Sequence, residues 1–148
     1  MNEPDLSIRL TKEFRATKEL MFAVETESSH VRTTIAPYGE RVDVCEIDLR
    51  VGGLYHFVFT PEGGEPCSFH GEFLVVDSPN EVVATWIFDG WPGVTAVESK
   101  RFVESNGVTT LHYELTFPDA ASRARMRGDG LQANYLNLER YVASLTAD

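Results

Sequence analysis

Three charged side chains stand where alternation predicts apolar neighbours. In the run Val94–Val103, an inward Phe102 brings Ala96, Glu98 and Lys100 onto its own face, and Lys12 shares a face with Leu10 and Phe14. Charge on a buried face is costly unless it is paired. Glu98 and Lys100 therefore pair inside the fold or grip the polar end of a ligand, unless a bulge or a position near the sheet edge turns them outward. A carboxylate or lysine with a perturbed pKa in an apolar pocket would also suit acid–base catalysis.

A second set is aromatic. Parity puts Tyr55, Phe57 and Phe59 on one strand face, and groups Phe69, Gly71 and Phe73 in the same way. Leu111, Tyr113, Leu115 and Phe117 form a third set, and Trp86 with Phe88 a fourth. We assign all four to the concave side of a sheet. The plain alternative is that these side chains are simply core, where each fully buried phenylalanine contributes ~1.5–3 kcal/mol. A sheet curled around one helix struggles to fill its own middle, however, and Gly71 leaves space there. Apolar-walled pockets are the usual consequence. The candidate ligand-binding residues are Tyr55, Phe57, Phe69, Trp86, Glu98, Lys100 and Tyr113 from strands, with Leu131 and Tyr135 from the terminal helix. The expected occupant is a small hydrophobic or amphipathic molecule.

The remaining reactive residue types give less. His56, His70 and His112 fall on the parity opposite the aromatic sets, which places them on the outer face and argues against a metal site. A structural hydrogen bond is the expectation for His70. No Ser/His/Asp or Cys/His arrangement can be named, so no catalytic residue and no cofactor is assigned. Gly52-Gly53 lacks the glycine spacing and the following helix of a phosphate loop. Cys45 and Cys67 lie on separate strand candidates and are expected reduced and part-buried.

These side chains need elements to hold them. Leu6, Ile8, Leu10 and Phe14 alternate with polar residues, which predicts a first strand. Thr17 is a plausible N-cap for a helix to Glu27, with Leu20, Met21 and Val24 on one face and Phe22 off-axis. Ser28–Pro37 reads as a second short helix or a loop. Strands follow at Arg41–Leu49, Leu54–Thr60, Cys67–Val76, Glu81–Phe88, Val94–Val103 and Val108–Phe117. Their links are short and rich in glycine and proline, so successive strands must be antiparallel. Asn106-Gly107 is the strongest hairpin signal. After Pro118, Asp119 can cap a terminal helical segment in which Leu131, Tyr135, Leu138, Val142 and Leu145 form a stripe. A kink or break is expected near Gly128 and Gly130, since each glycine costs roughly 1 kcal/mol inside a helix.

The chain of 148 residues fits one domain over 1–148. Its net charge, 13 − 23 = −10, disfavours nucleic acid and anionic lipid as partners. No apolar run approaches the roughly 18 residues of a membrane span. The acidic, polar opening Met1-Asn2-Glu3-Pro4-Asp5 is not a secretory signal, which predicts a cytoplasmic protein.

Several segments also carry a family likeness. Asp48-Leu49-Arg50-Val51-Gly52-Gly53-Leu54-Tyr55-His56-Phe57 resembles the D-x-R-x-G-G-x-Y-x-F signature of START-like proteins of the SRPBCC group. The closest branch is the one named after the activator of a heat-shock chaperone ATPase. Phe14–Phe22 is similar to its opening F-x-A-P-x-x-L-V-F, with Thr17 in place of proline, and Phe69-His70-Gly71-Glu72-Phe73 to its F-H-G-x-Y strand. Ser78–Glu81, Thr85-Trp86, Gly107–Leu111 and Gly130-Leu131 follow in family order. One departure is Thr34-Ile35-Ala36-Pro37, where many relatives carry W-W-G-P; losing two large aromatics would enlarge or reshape a pocket mouth. The resemblance implies an α+β helix-grip fold, a curved antiparallel sheet of about seven strands wrapped around a long C-terminal helix. The superfamily includes lipid carriers, cyclase-like enzymes and chaperone regulators, so fold alone selects no activity. A chaperone partner is implied by family analogy only, and a homodimer through an exposed sheet edge or face is an open possibility.

Overall fold

Alternation near the start of the chain yields strand β1, Ser7–Phe14. The computed structural model describes residues 5–147, so most of the opening Met1–Asp5 segment lies outside the described residues, as does Asp148. Helix α1, Lys18–Thr26, begins where expected: Thr17 Oγ1 accepts the Leu20 amide at 3.2 Å. Helix α2, Ser28–Thr34, resolves the ambiguous stretch as a short helix. Phe22 is not off-axis but buried, meeting Phe102 edge-on with ring centroids 5.8 Å apart. The stripe on α1 is therefore wider than Leu20, Met21 and Val24 alone.

Six strands follow as a meander: β2 (Arg41–Ile47), β3 (Leu54–Thr60), β4 (Cys67–Asp77), β5 (Glu81–Phe88), β6 (Ala96–Ser105) and β7 (Val108–Thr116). Every neighbouring pair is antiparallel, and the order across the sheet is β1-β7-β6-β5-β4-β3-β2. The first two strands are thus the two edges, and α1 and α2 carry the chain from one to the other. Asn106 and Gly107, at φ 53° and 79°, close the β6–β7 hairpin with the two positive φ values that a tight two-residue turn requires.

After β7, Asp119 caps α3 (Ala120–Arg125) by accepting the Ser122 amide at 2.8 Å. The expected break falls at Gly128, whose φ of 89° is left-handed and excludes helix continuation. Helix α4, Asp129–Thr146, then lies against the sheet and buries Tyr135, Leu138 and Val142. Leu145 ends the stripe but is exposed, one turn beyond the core. Leu111, Leu115 and Phe117 of the last strand and its end pack with Met21, Val24 and Leu138 as the driest part of the interior. This is the α+β helix-grip arrangement. Among the described residues no helix is long and apolar enough to cross a membrane.

Register decides what faces inward. Bulges interrupt β2 between Val42 and Val44 and β4 between Phe73 and Val75. No bulge interrupts β6, which pairs Lys100 with both Val82 and Tyr113, and Glu98 with both Ala84 and Leu115. Glu98 and Lys100 therefore stay on the face of the buried Ala96 and Phe102.

Candidate functional site

Between the concave face and helices α2 and α4 lies a hollow of about 290 Å³. Its floor changes character along the strands. At one end the cross-strand neighbours Lys100 and Tyr113, with Glu98, are met by Glu25 from α1 and Tyr135 from α4. Toward the other, β5 continues through Trp86 to Phe88, β4 presents Phe69, and β3 presents Phe57 and Phe59.

The polar end is a connected network. Lys100 Nζ lies 3.1 Å from Glu25 Oε2 and 3.7 Å from Glu98 Oε1. Tyr113 donates its hydroxyl to Glu98 Oε2 at 2.6 Å, and Tyr135 donates to Glu25 Oε2 at 3.2 Å. The side chains of Glu25, Lys100 and Glu98 are only 8%, 18% and 20% exposed, so these contacts act in a medium much less screening than water. Burial alone would push the Lys100 ammonium down, but Glu25 and Glu98 together outweigh it and hold its pKa above the usual lysine value. Burial, followed by the Glu98 charge, raises the Tyr113 hydroxyl, and burial with Glu25 does the same for Tyr135. At neutral pH the lysine is a cation and the two phenols are neutral donors.

Tyr55 joins the two ends. Its pKa is also raised, mainly by burial, and its hydroxyl donates to the Thr85 carbonyl at 2.7 Å. The β4–β5 ladder pairs His70 with Ile87 and resumes at Phe73 with Ala84, and in the gap the Glu72 amide turns to Thr85 Oγ1 at 2.8 Å. The Tyr55 ring crosses this gap over Gly71. A Cβ at Gly71 would meet Tyr55 Cε2 at 2.5 Å and collide with the Thr85 carbonyl. The glycine foreseen as empty space is filled by the tyrosine ring.

The aromatic end is a connected cluster. Phe69 stacks between Phe59 and Phe88 at 5.5 and 5.0 Å, and touches Trp86 at 5.5 Å. Trp91, from the loop after β5, meets Phe88 edge-on at 5.1 Å and Trp86 at 6.1 Å. Such offset and edge-on contacts add modestly to area burial and hold the rings as a wall.

The rim is made by α2, its following residues and the start of α4. Thr34, Ile35 and Pro37 line the hollow where larger aromatics would project further. Asn134 Nδ2 donates to the Thr34 and Ile35 carbonyls at 2.5 and 3.2 Å, and Asn137 Nδ2 to the Pro37 carbonyl at 2.9 Å. His30 Nδ1 and the Tyr141 hydroxyl are 2.6 Å apart, a further tie between α2 and α4.

All nine residues singled out in the sequence, Tyr55, Phe57, Phe69, Trp86, Glu98, Lys100, Tyr113, Leu131 and Tyr135, border this hollow. Lys12 does not: it pairs with Glu139 of α4 at 2.8 Å. Sequence reasoning overlooked Glu25, Asn134 and Trp91. The first two sit beside buried stripes of their helices, where a polar residue is itself a signal. Trp91 lies in a turn, where parity has no meaning. Outside, His70 Nδ1 meets Asp89 Oδ1 at 3.0 Å and His56 Nε2 meets Ser68 Oγ at 3.1 Å. Among the described residues no three His, Cys, Asp or Glu side chains converge as metal ligands. Cys45 and Cys67 are free thiols.

A family model described as Activator of Hsp90 ATPase homolog 1-like protein matches residues 15–143. No curated protein matches in sequence. A solved protein from Rhodobacter sphaeroides superposes with a TM-score of 0.87 at 17% identity, over 97% of both chains. Protein Ms6760 from Mycobacterium smegmatis gives 0.82 at 20%, over 96% of this chain and 91% of that one. An HSP90 activator from Plasmodium falciparum gives 0.64 at 21%, over 97% and 89%. Identities this low speak for shared fold.

Proposed function

The chain belongs to the Activator of Hsp90 ATPase homolog 1-like family, and we propose that it is a noncatalytic binding module for one small hydrophobic or amphipathic molecule. The occupant lies between the sheet and α4. Its apolar body rests on Trp86, Phe88 and Phe69, and its polar end turns toward Tyr113, Tyr135, Glu98 and Lys100. The observation that carries this reading is the juxtaposition of unfilled, aromatic-walled space with a polar cluster already hydrogen-bonded. A volume of about 290 Å³ sits at the small end of ligand pockets, which suits one or two rings rather than a long-chain lipid.

The same network weighs against covalent or proton-transfer chemistry. A nucleophilic lysine needs its pKa lowered, and here paired carboxylates raise it. The buried tyrosines are held neutral. The Plasmodium relative gives a second reading, a chaperone-facing domain; a pull-down that never enriches a chaperone removes it.

The chain has two tryptophans, and both border the hollow, so their emission reports on it directly. Titrating a panel of small non-fluorescent terpenoids and aromatic metabolites should give a saturable emission change for at least one. That change should be lost in Ile35→Phe, which crowds the rim without adding a fluorophore that masks the two tryptophans. Flat titrations across the panel would retire the reading.

A further inference from the structure

At its polar end the hollow offers a ligand more acceptors than donors. Glu25 and Glu98 carry two formal negative charges against the single positive charge of Lys100. The Glu25 side chain is only 8% exposed, yet only its Oε2 is used, by Lys100 and Tyr135. Among the described contacts Oε1 takes no hydrogen bond, although Glu25 lines the space. Tyr113 and Tyr135 aim their protons at carboxylates, which leaves the hydroxyl lone pairs. Asn134 commits its NH₂ group to the Thr34 and Ile35 carbonyls, which leaves its own carbonyl oxygen for the hollow. At the polar end the one side-chain donor left over is the third proton of Lys100; the indole N–H groups of Trp86 and Trp91 and the Thr34 hydroxyl stand at the aromatic wall and the rim. Opposite these acceptors, the faces of Trp86 and Phe88 are electron-rich and attract cations.

We infer that the hollow selects a molecule with a protonated amine on a compact apolar or aromatic body, the ammonium facing Glu25 and the body resting on the aromatic wall. This rests on the binding reading above and narrows it. An ammonium brings several donors and the missing positive charge, so charge-assisted hydrogen bonds form where acceptors stand open. A carboxylate head of the same shape would face two carboxylates and compete for a lysine that is already paired.

Isothermal titration calorimetry on the full chain near neutral pH distinguishes the possibilities with three probes of one shape: naphthylmethylamine, naphthylmethanol and naphthoate. The amine should bind about tenfold more tightly than the alcohol, and naphthoate most weakly. Glu25→Gln should remove most of the amine's advantage while leaving the alcohol's affinity within about threefold. The three-probe ranking in the unmodified chain stands even if that variant does not fold. Naphthoate or the alcohol binding as tightly as the amine would overturn the charge preference and leave the hollow a binding site. Binding of none of the three would overturn both.

Discussion

The two ends of the hollow solve opposite problems on one sheet face. At the polar end, five side chains from α1, β6, β7 and α4 pair with one another, and the cost of burying charge is offset by that pairing. At the aromatic end, Phe59, Phe69, Phe88, Trp86 and Trp91 support each other through stacked, tilted and edge-on contacts but leave space beside them. The contrast is between determination and tolerance. Each polar residue has named partners and no freedom to change alone. An aromatic wall beside a void loses little when one ring shrinks, so it can be reshaped for different occupants.

The largest effect should come from breaking the polar end at its only cation. Lys100→Met leaves Glu25 and Glu98 facing each other, and urea denaturation should show a loss of about 3–5 kcal/mol. Adding Glu25→Gln and Glu98→Gln should recover part of it. A loss no larger than that of a surface lysine would mean that the pairing is not formed. Next comes a contrast within the aromatics. Phe117 is fully buried, and Phe117→Ala should cost about 3–5 kcal/mol, the usual cost of emptying a core site. Trp86→Ala should cost less, on the order of 1–2 kcal/mol despite the larger side chain, because one side of Trp86 already borders space. Equal costs would mean that the wall is ordinary core.

Tyr113→Phe is expected to cost about 1.5–3 kcal/mol through the lost bond to a carboxylate. It also tests the pH dependence. Lys100 and Tyr113 are both raised above their ordinary values of 10.5 and 10.0. Their contribution is thus whole below pH 10 and is lost as pH climbs toward the folded-state values, because the unfolded chain gives up these protons first. Stability should fall above pH 10, and less steeply in Tyr113→Phe than in the parent. Gly71→Ala should cost about 1–3 kcal/mol or more, since the new Cβ runs into the Thr85 backbone carbonyl as well as the Tyr55 ring and β4 and β5 must part to admit it. Proton exchange at the Thr85–Trp86 amides should speed up in that variant.

The fold was legible because parity, turn residues and caps agreed with one another. Thr17, Asp119, Asn106-Gly107 and the Gly128 break each stand where local chemistry placed them. Bounds differ by a residue or two, as when β6 begins at Ala96 rather than Val94. The strand half of the site was legible for the same reason: with no bulge in β6, the parity of Glu98 and Lys100 held. The helical half was less so. Glu25 completes the ion network from α1, and nothing along the sequence links it to a strand more than seventy residues away. Trp91 and Asn134 contribute from a turn and a rim, places set by tertiary packing.

The central claim, that the space beside α4 exists to hold a molecule, is met most directly by a crystal structure of the protein purified from cells without refolding. The account predicts compact electron density bounded by Trp86, Phe88, Tyr135 and Glu25, with its polar end at the carboxylates. Side chains collapsed into that space, or ordered water alone filling it, would contradict the claim.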